Sequence, residues 1–399
     1  GDSLTDADNN VALGYGALGA DTKGNLSVAI GFNALAAQNF TSSTNTFNTA
    51  VGENSGLAMT TGTENTLLGG RTGLALTDAD YNVAVGKSAL STDTLGSRST
   101  AVGYSALATQ NFTTATETNN TAVGYGAGSG VTTGINNTLI GTGVGDAITT
   151  GVQNSFLGSY AGTGITTGGD NIGIGHVAMY CNTIGERTDA DFNTGIGLGA
   201  LGTDTKGNKS VAVGYAALFT QNFTTSTDSH NTAVGYNAGG SVTTGDSNTF
   251  IGSLAGDTLT TGNSNVAIGK NALGSDTGDL ITTGDNNVCI GFDTGSTGSA
   301  NLTTGNNNVL VGHKCITSAS GSDTQVVLGF ECVGASDSSL TFGKAATDSN
   351  IDMGATSITA PSDERYKENI TTSTAGLSFI KDLRPVTFKW KMEKDVPTN

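Results

Sequence analysis

The chain has 399 residues, 60 of them glycine, with 13% charged and 6% aromatic residues and a formal charge of −17. That acidity excludes a protein built to grip a nucleic-acid backbone, which needs clustered lysine and arginine, and fits the surface of a soluble extracellular object. No apolar run is long enough for a membrane-spanning helix. The start at Gly1, in mid-repeat and without methionine, reads as a fragment or processed form. So much glycine with so little charge would signal disorder in a sequence without a period.

This sequence has a period. From Asn9–Gly14 to Ser338–Gly343 a hexapeptide recurs nineteen times, and Asn119-Asn120-Thr121-Ala122-Val123-Gly124 is a typical copy. Its closing glycines step by 17 or by 21–22 residues, with a last step of 14. Such spacing predicts an all-β repeat solenoid, a parallel β-roll or β-helix of about nineteen coils, in place of two or three separate domains. The glycines read as corners of positive φ, and none of the three prolines interrupts a hexapeptide.

Each hexapeptide reads as a strand. The residue before the glycine is always apolar, from Leu13 to Phe342, and two residues earlier stands Val, Thr, Ser, Ile or Leu. These two share one face. The residue between them is usually Ala, with Gly173, Gly195, Leu67 and Phe156 among the exceptions. Both faces are thus apolar, as in strands covered on both sides. The expectation is that the coil's own return strand covers one face, and that another copy of the chain packs against the alanine-lined one. Four positions before the glycine stands Asn in fourteen copies, Ser in four and Gln325 in one, which predicts a ladder of side chains in register. A polar turn ending Thr-Thr-Gly, as at Thr132-Thr133-Gly134, closes many coils, so each coil should hold two short strands and two turns. Nineteen coils at one strand spacing each would extend about 90 Å.

The longer steps carry inserts. Gln38-Asn39-Phe40-Thr41 returns as Gln110-Asn111-Phe112-Thr113 and Gln221-Asn222-Phe223-Thr224, each after a turn that opens at Asp21, Asp93 or Asp204. Inserts in repeat proteins map to loops on one face, often the binding face, which makes Phe40, Phe112 and Phe223 candidate surface-contact loops. The competing reading, which we favour, has each ring folded back as a plug over the coil edge.

Four cysteines (Cys181, Cys289, Cys315, Cys332) show neither CxxC pairing nor zinc spacing. Cys289 takes the alanine place of a hexapeptide, and Cys315 and Cys332 lie 17 residues apart, three past their glycines. They read as small buried residues on adjacent coils, with a bridge between the last two possible where their Cβ atoms meet. The histidines His176, His230 and His313 are scattered without partner ligands, so neither a metal nor a cofactor is expected.

The core of the hexapeptide, as in Asn265-Val266-Ala267-Ile268-Gly269, resembles the head repeat of trimeric autotransporter adhesins over about residues 9–343. The resemblance implies a left-handed parallel β-roll, three of which pack into one head. The step of 17 is longer than that family's usual coil, and only the last step of 14 matches it. A second resemblance lies at the end of the chain. Ser362-Asp363-Glu364-Arg365-Tyr366-Lys367-Glu368-Asn369-Ile370, then Leu383-Arg384-Pro385-Val386 and Phe388-Lys389-Trp390, resemble the opening of the endosialidase-type intramolecular chaperone of phage tail spikes and fibres. That resemblance implies a trimeric domain that assembles the β-structure before it and then cuts itself off. Its Ser–Lys dyad maps to Ser362 and Lys367, and the scissile bond to Pro361–Ser362. A serine hydroxyl needs a base, and a lysine serves once burial depresses its pKa. Only 38 residues follow Pro361, the opening of such a domain.

The expected organisation is therefore a shaft over 1–343, a β neck over 344–361 and a truncated chaperone segment over 362–399. The expected role is a structural and adhesive homotrimeric fibre, a phage-like tail fibre or spike outside the cell. Its partners would be its own copies, other tail components and a host receptor (glycan or surface protein), with no nucleic acid and no membrane insertion. Self-cleavage would be its only enzymatic chemistry. The alternative is a bacterial surface adhesin of the trimeric autotransporter type. An ice- or crystal-binding solenoid ranks last, because the threonines are adjacent and lie in turns.

Overall fold

The computed structural model describes residues 1–180, 190–274, 283–296, 302–345 and 348–354. Two units separate in the chain, Gly1–Thr359 and Ala360–Asn399, and the second lies wholly outside the described residues.

Every hexapeptide forms a short strand, from Val11–Leu13 through Thr121–Val123 to Ser339–Lys344. Consecutive strands pair in parallel without slippage: Ala29 lies beside Ala50, Ala50 beside Leu67, and Leu67 beside Ala84. Nineteen such strands, one per coil, form a single 20-stranded sheet, whose last member, Ser349–Asp352, turns back antiparallel on Ser339–Lys344. The first unit is thus a parallel β-solenoid of about eighteen turns, with no α-helix among the described residues. Among the described residues, the second strand expected in each coil is present only at the three inserts. Elsewhere the return path is a run of turns bonded to the next coil, as in Gly128 N to Val144 O at 2.9 Å and Thr132 N to Thr149 O at 2.9 Å. Left-handed residues such as Leu107, Gly126 and Gly128 break this path too often for a strand.

The two sheet faces are reversed relative to expectation. The small central residue of each strand (Ala29, Ala50, Ala84, Ala101, Ala122) is fully buried inside its own coil. Ala34, Leu35, Ala89, Leu90, Ala106 and Leu107, on the turns after the glycines, join it there. The larger Val, Ile and Leu side chains point outward. A 17-residue coil leaves an interior too narrow for branched residues from both walls, so the smaller side chain goes in. Where a bulky residue does point inward, glycines make room for it. Phe156 lies between Gly162 and Gly173, where an added Cβ would come within 2.3 and 2.8 Å of its ring. Phe250 occupies the same kind of space between Gly239 and Gly256.

The closing glycines are required for a stricter reason than a corner. Gly141 has φ +142°, and a Cβ there would sit 2.5 Å from the Gly158 carbonyl oxygen of the next coil. The asparagines form the expected ladder: Asn137 Oδ1 accepts from Asn154 N at 3.0 Å, and Asn154 Oδ1 from Asn171 N at 3.2 Å. Each amide also donates to the turn above, as Asn154 Nδ2 does to Gly168 O at 2.9 Å. A buried amide satisfied at both ends bolts strand to turn in the coils that carry asparagine.

Candidate functional site

The three inserts build the same ledge three times. In the first, Asp21 is fully buried; its Oδ1 accepts from Gly24 N at 3.0 Å and its Oδ2 from Gln38 Nε2 at 2.6 Å. Gln38 also donates to Ser27 Oγ at 2.9 Å and accepts from Asn48 Nδ2 at 3.0 Å, which ties the insert to the asparagine ladder. The second ledge repeats this with Asp93, Gln110, Ser99 and Asn120, and the third with Asp204, Gln221, Ser210 and Asn231. A buried carboxylate held by several N–H donors is the charge-assisted arrangement that offsets its desolvation. Each network supports a two-stranded parallel sheet on the flank: Gly24–Asn25 with Thr44–Asn45, Gly96–Ser97 with Thr116–Glu117, and Gly207–Asn208 with Thr227–Asp228.

Phe40, Phe112 and Phe223 are 7%, 7% and 5% exposed, so the rings are plugs and offer no contact surface. Any contact made by these loops falls to exposed neighbours such as Asn39, Thr41 and Ser42.

Two surface features extend along the solenoid. The first is the outward sheet face, a strip of Leu68, Val83, Ile140, Leu157, Ile174 and Ile251 with 36–49% of each side chain open. The column before the glycine is apolar in all nineteen rungs, whereas the column two residues earlier mixes Val, Ile and Leu with Thr and Ser, as at Thr49, Thr121, Ser155 and Thr232. A continuous apolar column along one whole sheet face marks an interaction surface. The second is a column one residue past the closing glycine. There Tyr15 stacks on Phe32 (5.6 Å), Tyr104 on Tyr125 (5.3 Å), and Tyr215 on Tyr236 (5.1 Å). Near the end, Phe292, His313 and Phe330 stack at 5.3 and 4.8 Å, with Lys270 and Lys344 over the two outer rings. Strand spacing sets the ring spacing, so these columns add stacking along the axis. The sequence reading missed this column, although the recurrence of aromatics directly after the glycine was visible.

The described cysteines are free thiols inside the coil. Cys289 stands in its alanine place, and Cys315 Sγ contacts Gly329 O at 3.1 Å rather than bridging to Cys332. Cys181 lies outside the described residues. His176 Nδ1 contacts Ser159 O, and among the described residues no cluster of three potential metal ligands occurs. Pro361, Ser362 and Lys367 also lie outside the described residues.

Residues 362–399 match the family described as "Chaperone of endosialidase". No curated protein and no solved structure matches the chain. A parallel β-solenoid followed by this chaperone segment fits a fibre-like, trimeric protein of the tail-fibre kind.

Proposed function

We propose that the chain is the shaft of a homotrimeric viral tail fibre or spike that attaches to a host surface receptor, and that its maturation is directed by the C-terminal chaperone. The observation that carries this reading is the order of its parts: a solenoid bearing an unpartnered apolar face, followed by a match to an assembly chaperone at 362–399. A monomeric solenoid has no need to leave an apolar column open along its whole sheet, whereas a chain meant to pack against two copies does. The copies then meet through the Val/Ile/Leu face, and the alanine face stays inside each coil.

Ser362 is the nucleophile of the maturation step in this reading, and Lys367 the base that takes its proton. Attack of Oγ on the Pro361 carbonyl moves the acyl group from the Ser362 nitrogen, which takes up a proton, to its oxygen as an ester. Water then hydrolyses that ester, releasing the chaperone and leaving a shaft that ends in the Pro361 carboxylate. The test is the mass of the full-length gene product, denatured and native, for the parent and for Ser362→Ala. The expected result is a parent chain ending at Pro361, an uncut mutant, and a native mass of three chains. An uncut, monomeric parent would overturn the trimer and the dyad together. A full-length gene that continues into a membrane barrel or wall anchor would point to the bacterial adhesin instead.

A further inference from the structure

The second insert ledge has one open groove at its rim. It measures about 250 Å³ and is lined by Asp80, Tyr81, Ser97, Arg98, Thr116 and Glu117. Tyr81 and Arg98 occupy the position before the ladder residue, where the backbone is left-handed (φ 61° and 65°) and the side chain is thrown outward. Half of the Tyr81 side chain is open. The Arg98 guanidinium lies 5.6 Å from the Tyr81 ring centre and 2.9 Å from Glu117 Oε1. Asp80 Oδ1 is held by Thr63 N and Thr63 Oγ1, and Ser97 Oγ accepts from Asp80 N at 3.0 Å, so the floor is fixed by hydrogen bonds.

The third ledge repeats the set 111 residues later with Asp191, Phe192, Asn208, Lys209, Thr227 and Asp228. Phe192 is 58% exposed, and Lys209 Nζ reaches Asp228 Oδ2 at 2.5 Å. The first ledge does not repeat it. The places of ring, cation and acid are taken there by Asn9, Leu26 and Asn45. The buried Asp–Gln network is the same in all three, so the ledge folds without the triad. A ring, a cation and a carboxylate retained together at two ledges, and absent together at the third, are not a requirement of the fold.

We infer that the groove at Tyr81–Arg98–Glu117, and the same set of residues at Phe192–Lys209–Asp228, bind a neutral pyranose unit of a surface glycan. The chemistry selects that class. The walls are too open and too polar to enclose an apolar molecule. An anionic sugar would face a cation already paired with a carboxylate, beside a second acid, on a chain of net charge −17. A neutral pyranose lays its C–H face on the part of the aromatic ring that the cation leaves open, and its vicinal hydroxyls donate to the carboxylate and accept from the cation. One such site is weak, and several along a fibre bind by avidity. This inference rests on the attachment reading above and assigns it a site.

The test uses the full chain and two probes: the methyl glycosides of glucose, galactose and N-acetylglucosamine, followed by saturation-transfer NMR, and an array of immobilised neutral and acidic oligosaccharides. Saturable binding to at least one neutral sugar is expected. It should fall at least about tenfold in Tyr81→Ala/Phe192→Ala and be unchanged in Leu26→Ala. Arg98→Gln/Lys209→Gln, which alters only exposed ends, should give the same loss if the aromatic variant fails to fold. No saturable binding at about 10 mM sugar, binding confined to acidic glycans, or full binding by both double variants would overturn the inference. Host-cell adsorption separates the two claims. Undiminished adsorption by variants with empty grooves sinks the glycan site and leaves attachment standing. Failure of the parent to adsorb while its sugar binding persists sinks attachment and leaves the site.

Discussion

At the residue scale, the inside of the coil is decided by volume. Cys289 replaces an alanine without cost to the register because a thiol is only slightly larger than a methyl group and packs as a small hydrophobe. Burial, with the nearby Cys315 adding to it, pushes the Cys289 thiol up to about 12. Burial foremost, then the Asp348 carboxylate, pushes Cys332 up to about 12 as well. Both folded values lie above that of an unfolded cysteine, so the neutral thiols favour the fold fully below about pH 8.5. That contribution is lost as the pH rises toward 12. In a Cys181→Ser background, a thiol reagent at pH 8 should therefore find almost no reactive cysteine in the native chain and three equivalents on unfolding. Rapid native labelling at pH 8 would show that the coils open locally near residue 289 or 332.

At the scale of elements, the ledge is the unit that departs from the plain coil. Its insert is held by one buried carboxylate and one glutamine rather than by an apolar core of its own. Asp93→Ala leaves the Gln110 amide and the Phe112 N–H without their acceptor. Each buried donor left unsatisfied costs about 1–3 kcal/mol. Amide exchange is expected to accelerate across Gln110–Thr118 and to stay slow in Thr138–Ile140, two coil edges away. Uniform protection in the variant would mean that the Phe112 plug, and not the Asp–Gln pair, fastens the insert.

At the scale of the molecule, each coil touches only its neighbours, so the solenoid's stability is a sum of coil and interface terms. The outward face contributes little to that sum, which separates folding from assembly. Ile140→Lys should leave the β signature and thermal unfolding of the solenoid nearly unchanged, because the side chain already stands 38% exposed. It should also break association, because a lysine buried against two copies has no partner. Sedimentation of the mature shaft checks this, and a trimer of undiminished stability would move the interface off the sheet face.

The solenoid, its parallel register, the asparagine ladder and the glycine corners were all legible in the sequence, because each is a local demand repeated at one period. The closing glycine recurs since each coil meets its neighbour in the same geometry, and the amide recurs wherever the turn carries the same bolt. The resemblance at Ser362–Ile370 was legible too, as a string of side chains that no periodic constraint explains. Tertiary structure alone decided which strand face lies inside. Alternation separates two faces without saying which is in, and that answer depends on the width of a closed coil set against the volume of its side chains. It also decided that the three phenylalanines are plugs, and it brought Tyr81, Arg98 and Glu117 together. Those three lie 17 and 19 residues apart in the chain. They meet only because stacking converts one period of sequence into one strand spacing.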